Sequence, residues 1–532
     1  MKALYTIIVC VCVGTTQLLA QYPNVRVSSP TASAPEEVTI AINPANPLQL
    51  AAGANINYAY RSSDGGNTWI ESRLTSSSYG VWGDPCVVFD ASGNLYYGHL
   101  SNPPSPGYWI DRIVVQKSTN AGANWNVGVG VGFNPPTKNQ DKEWLAVDLT
   151  NSPYYNNIYM SWTEFDDYGS SSTQDSTRIL FSRSTDAGAT WGTPVRLSEK
   201  GGNCIDSDST VEGAVPAVGP NGHVYVSWSG PLGIMFDKST DGGVTFGVDK
   251  FVTSQPGGWD LDVPGIQRSN GMPITACDVS SSPYRGNIYI NWSDQRNGLS
   301  NTDIFLIKST DGGNTWGAVK KVNDDLTTTH QFFTWMTIDQ TTGYIYVIFY
   351  DRRNYTTVAT DVYVARSMDG GETFQNFKVS QSSFSPQAGI FFGDYVCIAA
   401  HNKKVYPIWM RLDGSTLSVW TALINDTTGV TPVAQDKIWK PQDYQLLQNY
   451  PNPFNPTTNI DFYVGEAGNV RVDIFDLMGR HITTLVDGFR HQGWHSVQWN
   501  AAEEVTSHAT GVYFSQLQSG SFVERKKLVL LK

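Results

Sequence analysis

Six segments of this 532-residue chain repeat one turn motif, Ser-x-Asp-x-Gly-x-Thr-aromatic, and that repeat constrains the fold more than any other feature. The copies run from Ser62 to Trp69, Ser118 to Trp125, Ser184 to Trp191, Ser239 to Phe246, Ser309 to Trp316 and Ser367 to Phe374. Five keep the acid (Asp64, Asp186, Asp241, Asp311 and Asp369), and the second carries Asn120 in its place. Each follows a short alternating strand such as Ile304-Phe-Leu-Ile-Lys308. The residue types describe a hairpin that closes on itself. Glycine supplies the positive-φ positions, and the carboxylate accepts bonds from the turn's own amides and hydroxyls. The aromatic ring then covers the sheet edge. A copy every roughly 50 to 70 residues marks an array of four-stranded units, which is a β-propeller.

A second repeat lies between the turns. Apolar inner strands begin near Val38, Asp84, Trp144, Gly213, Ile274, Trp335 and Tyr395, each followed by a partner such as His223-Val-Tyr-Val-Ser-Trp228 or Asn287-Ile-Tyr-Ile-Asn-Trp292. Seven inner strands against six turn motifs predict an all-β, seven-bladed β-propeller, with six blades as the alternative. The last blade would take three strands from residues near 393 to 424 and its outer strand, Asn24-Val-Arg-Val27, from the start of the mature chain. Closure of this kind removes a free sheet edge.

The expected boundaries are a signal peptide at 1–20, the propeller at 21–425, a linker at 426–443 and a small C-terminal β-sandwich at 444–532. Lys2, the apolar run Leu4 to Val13 and Leu18-Leu-Ala20 have the order of a secretory signal. That run is too short to span a membrane. The C-terminal segment opens with the Asn-Pro turns of Gln448 to Thr458 and continues in period-2 strands. A net charge of −12 argues against nucleic acid or an anionic membrane as partner. Cys86, Cys277 and Cys397 sit inside apolar strands and read as small buried hydrophobes, without metal or disulfide spacing.

Propellers bind ligands at one end of the central axis, on residues just before the inner strands and just after the second strands. Before inner strands stand Asp84, Asp141, Glu143, Glu212, Arg268, Asp394 and Tyr395. After second strands stand Trp228, Arg296, Arg352 and Arg353. Carboxylates paired with arginines suit a polyhydroxylated ligand and glycosidic acid/base chemistry. Glu212, Asp394, Asp84 and Glu143 are therefore candidate catalytic residues, and Tyr395 joins them through the family resemblance given below. Arg268, Arg296, Arg352, Arg353, Asp141 and Trp228 are the candidate substrate-binding ones. No cofactor is expected, except that structural calcium could sit on the acids near Glu164 and Asp166.

The turn motif resembles the Asp-box of sialidase-type propellers. That resemblance implies a Tyr nucleophile activated by a Glu, an Asp acid/base and three arginines clamping the substrate carboxylate. Gly393-Asp-Tyr395 matches the family's Tyr position, and Val211-Glu212-Gly-Ala-Val matches the strand carrying its Glu. Trp228 stands where a clamp arginine should be, Pro35-Glu-Glu37 replaces the family's first arginine motif, and the loop from Ala54 to Arg61 holds no acid.

The C-terminal segment resembles the sorting domain of the type IX secretion system through Asn449-Tyr-Pro-Asn-Pro-Phe-Asn455, Phe475-Asp-Leu-Met-Gly479, Gly493-Trp-His495 and Gly511-Val-Tyr513. This implies export to the bacterial surface or beyond, with that secretion machinery as a partner. The expectation is a secreted propeller that acts on or binds an extracellular glycan or glycoprotein. On one reading it is a glycosidase or polysaccharide lyase, and on the other a non-catalytic carbohydrate- or protein-binding module.

Overall fold

The computed structural model describes residues 22–132, 138–426, 444–502, 509–520 and 522–531; the expected signal peptide and all but the first residue of the expected linker lie outside them. The described residues form strands, turns and loops, with no helix among them long and apolar enough to cross a membrane.

The propeller consists of antiparallel sheets strung along the chain. Blades 1 to 6 are four-stranded sheets over residues 39–73, 86–131, 139–196, 212–253, 274–321 and 331–378. Blade 7 runs over residues 397–422, with the short strand Ile424–Asn425 at its side. Its outer strand is Asn24–Arg26, which pairs with Thr416–Ala422 so that Asn24 faces Ala422. The first described strand thus closes the ring on the last blade.

The innermost strand of every blade touches that of the next, and Cys397–His401 of blade 7 returns to Thr39–Ile42 of blade 1. Second strands such as Ile158–Phe165 and Val224–Ser229 are buried along their whole length, because each blade packs against neighbours on both faces. Cys86, Cys204, Cys277 and Cys397 are all reduced and buried in this core.

The repeated turns close as their chemistry requires. In blade 5 the Ser309 hydroxyl donates to Asp311 Oδ1 (2.8 Å), which also accepts the Thr315 amide (2.9 Å). Asp311 Oδ2 takes the Thr315 hydroxyl at 2.7 Å. In blade 2 Asn120 accepts the Ser118 hydroxyl (2.9 Å) and the Asn124 amide (2.9 Å).

Strand register places these turns away from the inner-strand entrances. In blade 4, Ser239 at the turn pairs with Val224, whereas Glu212 pairs with Ser229 at the far end of the same strand. In blade 3, Ser184 pairs with Ile158 and Asp141 with Thr163.

The C-terminal sandwich packs a three-stranded sheet (445–446, 457–464, 493–500) with a four-stranded one (468–476, 481–490, 511–519, 522–530). Ile460, Phe462, Val472, Ile474, Leu517 and Leu528 belong to its separate core.

Candidate functional site

The inner strands enter the ring through strained backbone. Glu37 (φ 53°), Asp84 (51°), Lys142 (53°), Gly213 (75°), Phe333 (49°) and Gly393 (80°) are all left-handed, at the entrances to six different blades. Four of them are not glycine, and such conformations cost of order 1–3 kcal/mol each. Three of these entrances are also β-bulges, at Asp141/Trp144, Glu212/Val215 and Phe332/Trp335. A bulge bends its strand and re-aims the side chains beside it.

The result is a cluster of acids around two cations. Lys142 Nζ lies 2.8 Å from Asp394 Oδ2, 3.1 Å from Asp84 Oδ2 and 3.7 Å from Glu37 Oε1. The Asp84 contact is one of charge alone, since that oxygen lacks hydrogen-bond alignment. Arg268 holds Asp394 in a two-pronged grip, donating from Nε to Oδ1 at 2.9 Å and from Nη2 to Oδ2. Its third nitrogen, Nη1, reaches Asp206 Oδ2 at 3.0 Å. Tyr168 donates its hydroxyl to the same Asp206 oxygen at 2.6 Å.

Two members of the cluster stand apart. Both carboxyl oxygens of Glu143 are buried and have no hydrogen-bond partner, and the same holds for Glu212. The Asp206 carboxyl is the group that approaches Glu212, and two carboxyls can pair only by sharing a proton. Burial, followed by the charge of Asp84, pushes Glu143 well above the usual carboxylate range. Burial and then Asp206 do the same for Glu212. Asp141 is raised to about 8 by burial and Asp84, and Glu36 to about 8 by burial alone. Asp394 goes the other way: Lys142 and Arg268 overcome its burial and hold it below its ordinary value.

A cleft opens onto this cluster, with a volume of about 550 Å³ including the space at its open mouth. Asp84, Lys142, Glu143 and Asp394 are among its polar lining residues, and Trp144, Trp335 and Tyr395 among its aromatic ones. The Trp144 and Trp335 ring centroids are 4.1 Å apart, and the Tyr395 ring meets Trp144 edge-on at 5.7 Å. The Tyr395 hydroxyl donates to the Pro85 carbonyl at 3.3 Å. Burial and the charges of Asp84, Glu37 and Glu143 raise its phenol well above 10, so it is held neutral.

Of the residues singled out in the sequence, Asp84, Glu143, Asp394 and Tyr395 line this one cleft, and Glu212, Asp141 and Arg268 join the cluster at its side. The others do not gather there. Trp228 is 1% exposed in an apolar core with Val211 and Met235, because its strand is covered on both faces. Arg296 folds back on Asp294 at 2.5 Å and over the Phe305 ring. Arg353 is spent on Asp351 (2.7 Å) and Asp324 (2.6 Å). Arg352 is buried against Phe332, bonded to the Pro264 carbonyl and the Thr360 hydroxyl. Among the described residues, Lys142 is the sole cation lining the cleft.

Glu164 and Asp166 are bridged by the chain's own cations: Lys138 lies 3.3 and 2.9 Å from them and Arg178 2.5 and 2.7 Å. No group of three or more metal-ligating side chains occurs among the described residues. Sequence reasoning missed Asp206, Tyr168 and Asn270, whose amide donates to the Asp394 carbonyl at 2.8 Å. The acidic run Asp206-Ser-Asp208, just ahead of Glu212, was the available signal.

Residues 448–531 match the family model of the secretion system C-terminal sorting domain. The chain is therefore built for export by the type IX secretion system, to the cell surface or beyond it. No curated protein sequence matches the chain. Among solved structures, it is similar to a protein of unknown function from Dyadobacter fermentans DSM 18053 (11% identity, 76% of this chain and 98% of that one, TM-score 0.44). It is also similar to the Hadza microbial sialidase Hz136 (13% identity, 72% and 75%, TM-score 0.39). A third is an ulvan lyase of polysaccharide lyase family PL25 (11% identity, 76% and 95%, TM-score 0.43).

Proposed function

We propose that the propeller engages an uncharged, hydroxyl-rich extracellular glycan in the axial cleft, with Glu143 presenting its carboxyl to the sugar. The observation that carries this reading is Glu143 itself: a buried carboxyl, without a partner, lining an open cleft. Leaving such a group unmade costs about 1–3 kcal/mol, which sugar hydroxyls could recover. Trp144, Trp335 and Tyr395 supply faces and edges for a sugar ring.

The charge balance selects against an acidic sugar. Asp84, Asp206 and Asp394 contact Lys142 and Arg268, while burial shifts Glu37, Asp141, Glu143 and Glu212 toward the uncharged form. Both cations are already bound to carboxylates. A substrate carboxylate would meet no free arginine in the cleft, so release of sialic acid is disfavoured on this reading.

If the site is catalytic, the acids divide by environment. Glu143, held protonated by burial, would give its proton to the glycosidic oxygen. Asp394, held ionised by Lys142 and Arg268, would supply fixed negative charge to the developing oxocarbenium ion, and a water would then add to the anomeric carbon and return its proton to the Glu143 carboxylate. The competing reading, a binding module, is favoured by the same two cations, because they neutralise Asp84, Asp206 and Asp394 within the protein.

Screening the purified chain on xylan, β-glucan and mannan, alongside a glycan array that includes sialosides, tests both. Turnover of a neutral polysaccharide that Glu143→Gln abolishes establishes the hydrolase. Retained binding without turnover establishes the module. Preference for sialosides, lost in Tyr395→Phe, would overturn the neutral-glycan reading.

A further inference from the structure

The sorting domain rests against the propeller through a built contact. Tyr450, the second residue of the Asn449 to Asn455 turn sequence, is only 5% exposed. Its hydroxyl lies 2.9 Å from that of Tyr225, with both groups buried. Its ring lies on Gly286, where an added Cβ would come within 1.8 Å of the ring. Its hydroxyl also passes over Gly312, where a Cβ would stand 3.2 Å away. Next to it, Arg285 Nη2 meets Asp461 Oδ2 at 3.2 Å, with both side chains largely buried. Arg285 is fixed from the other side by the carbonyls of Val279 and Ser280. A buried charge of this kind is strongly penalised when its partner is removed.

The residues that receive Tyr450 come from two blades. Tyr225 lies on the second strand of blade 4, Arg285 and Gly286 in the loop leading to the second strand of blade 5, and Gly312 in the Asp-motif turn of blade 5. The receiving surface exists only when those blades are folded side by side. Gly286 (φ 87°) and Gly312 (φ 69°) hold left-handed backbone that a side chain would both strain and obstruct.

We propose that the junction of blades 4 and 5 is a receptor for this chain's own sorting domain, holding it in one orientation on the folded propeller. With Tyr450 seated, Leu477 and Met478, at the turn of one sorting-domain hairpin, stay exposed. Orientation of the tail is then coupled to the folded state of two blades rather than left to the linker. This inference is independent of what the axial cleft binds.

Hydroxyl-radical footprinting of the unaltered chain tests it without any substitution. Tyr450 should be modified at least tenfold more slowly than Tyr155, which is 55% exposed. Equal rates would overturn the proposal. Small-angle X-ray scattering gives a second test. The unaltered chain should scatter as one compact particle, and Tyr450→Ala combined with Asp461→Lys should raise its radius of gyration and maximum dimension. Circular dichroism confirms that the tail remains folded, and the milder pair Tyr225→Phe with Asp461→Asn should shift the same quantities less. An extended ensemble in the unaltered chain would contradict the proposal, as would an unchanged profile in a folded double variant.

Discussion

The repeated turns and the axial entrances put most of their aspartates and glutamates to opposite uses. At the turn end, Asp311 is bonded to the hydroxyls and amides of its own loop, and its carboxyl sits below its ordinary value even after the opposing effect of burial. At the axial end, the Glu143 and Glu212 oxygens are buried without an aligned hydrogen bond, Glu212 being approached by another carboxyl, and both groups are held above theirs. The first arrangement is complete within eight residues and asks nothing of a ligand. The second draws groups from most of the ring, strains the backbone that carries them and leaves carboxyl oxygens unmatched. Residues of one type thus build the fold at one end and a site at the other, and local satisfaction is what separates the two uses.

The largest expected effect comes from removing the anion that ties the axial cluster together. Asp394→Ala leaves Lys142 and Arg268 without their shared partner, and should cost about 3–5 kcal/mol in urea unfolding, toward the lower end because Arg268 is partly exposed. Asp311→Ala, on the turn side, should cost about 1–2 kcal/mol by the same measurement, since water can reach the groups it leaves. Equal losses would break the comparison.

Asp394 apart, the two ends should also answer pH with opposite signs. Asp141 and Glu36 bind protons more tightly in the folded state, up to about 8, so their contribution is fully present below about 4 and is lost as pH rises toward 8. Asp241 at a turn is lowered to about 2, so its contribution is present above about 4 and is lost as pH falls through 2. Melting curves between pH 5 and 8.5 should therefore fall by about a few degrees, and Asp141→Asn should flatten that slope. The smallest effect belongs to Ala187, a left-handed residue (φ 56°) where most of the repeated turns have glycine. Ala187→Gly should stabilise the chain by about 0.5 kcal/mol in the same melts.

The propeller was legible because its evidence is local. Ser309, Asp311, Gly313 and Thr315 specify their hairpin within seven residues, and such turns recur at a regular interval. Much of the candidate cleft was legible too, because Asp84, Glu143, Asp394 and Tyr395 each stand at an inner-strand entrance and the ring brings entrances together. Arg296 and Arg353 misled because position alone ignores the acid two residues back; Asp294 and Asp351 capture them first. Trp228 misled for a related reason, since a tryptophan near a strand end can equally well pack between blades. Asp206 and Tyr168 lie in loops that match no repeat, so no periodicity pointed to them. The left-handed backbone at Glu37, Asp84, Lys142 and Phe333 has no sequence signature, because none of these residues is glycine.

The most direct test of the account is a thermal-shift experiment on the unaltered chain and on Glu143→Gln, each with and without the neutral oligosaccharide that scores best in the polysaccharide screen. The unaltered chain should melt higher with sugar. Glu143→Gln should melt at the same or a higher temperature without sugar and show a smaller rise with it, because on the proposed reading that buried acid serves the ligand. A variant that melts several degrees lower yet keeps the full sugar-dependent rise would place Glu143 among the structural residues and contradict the account.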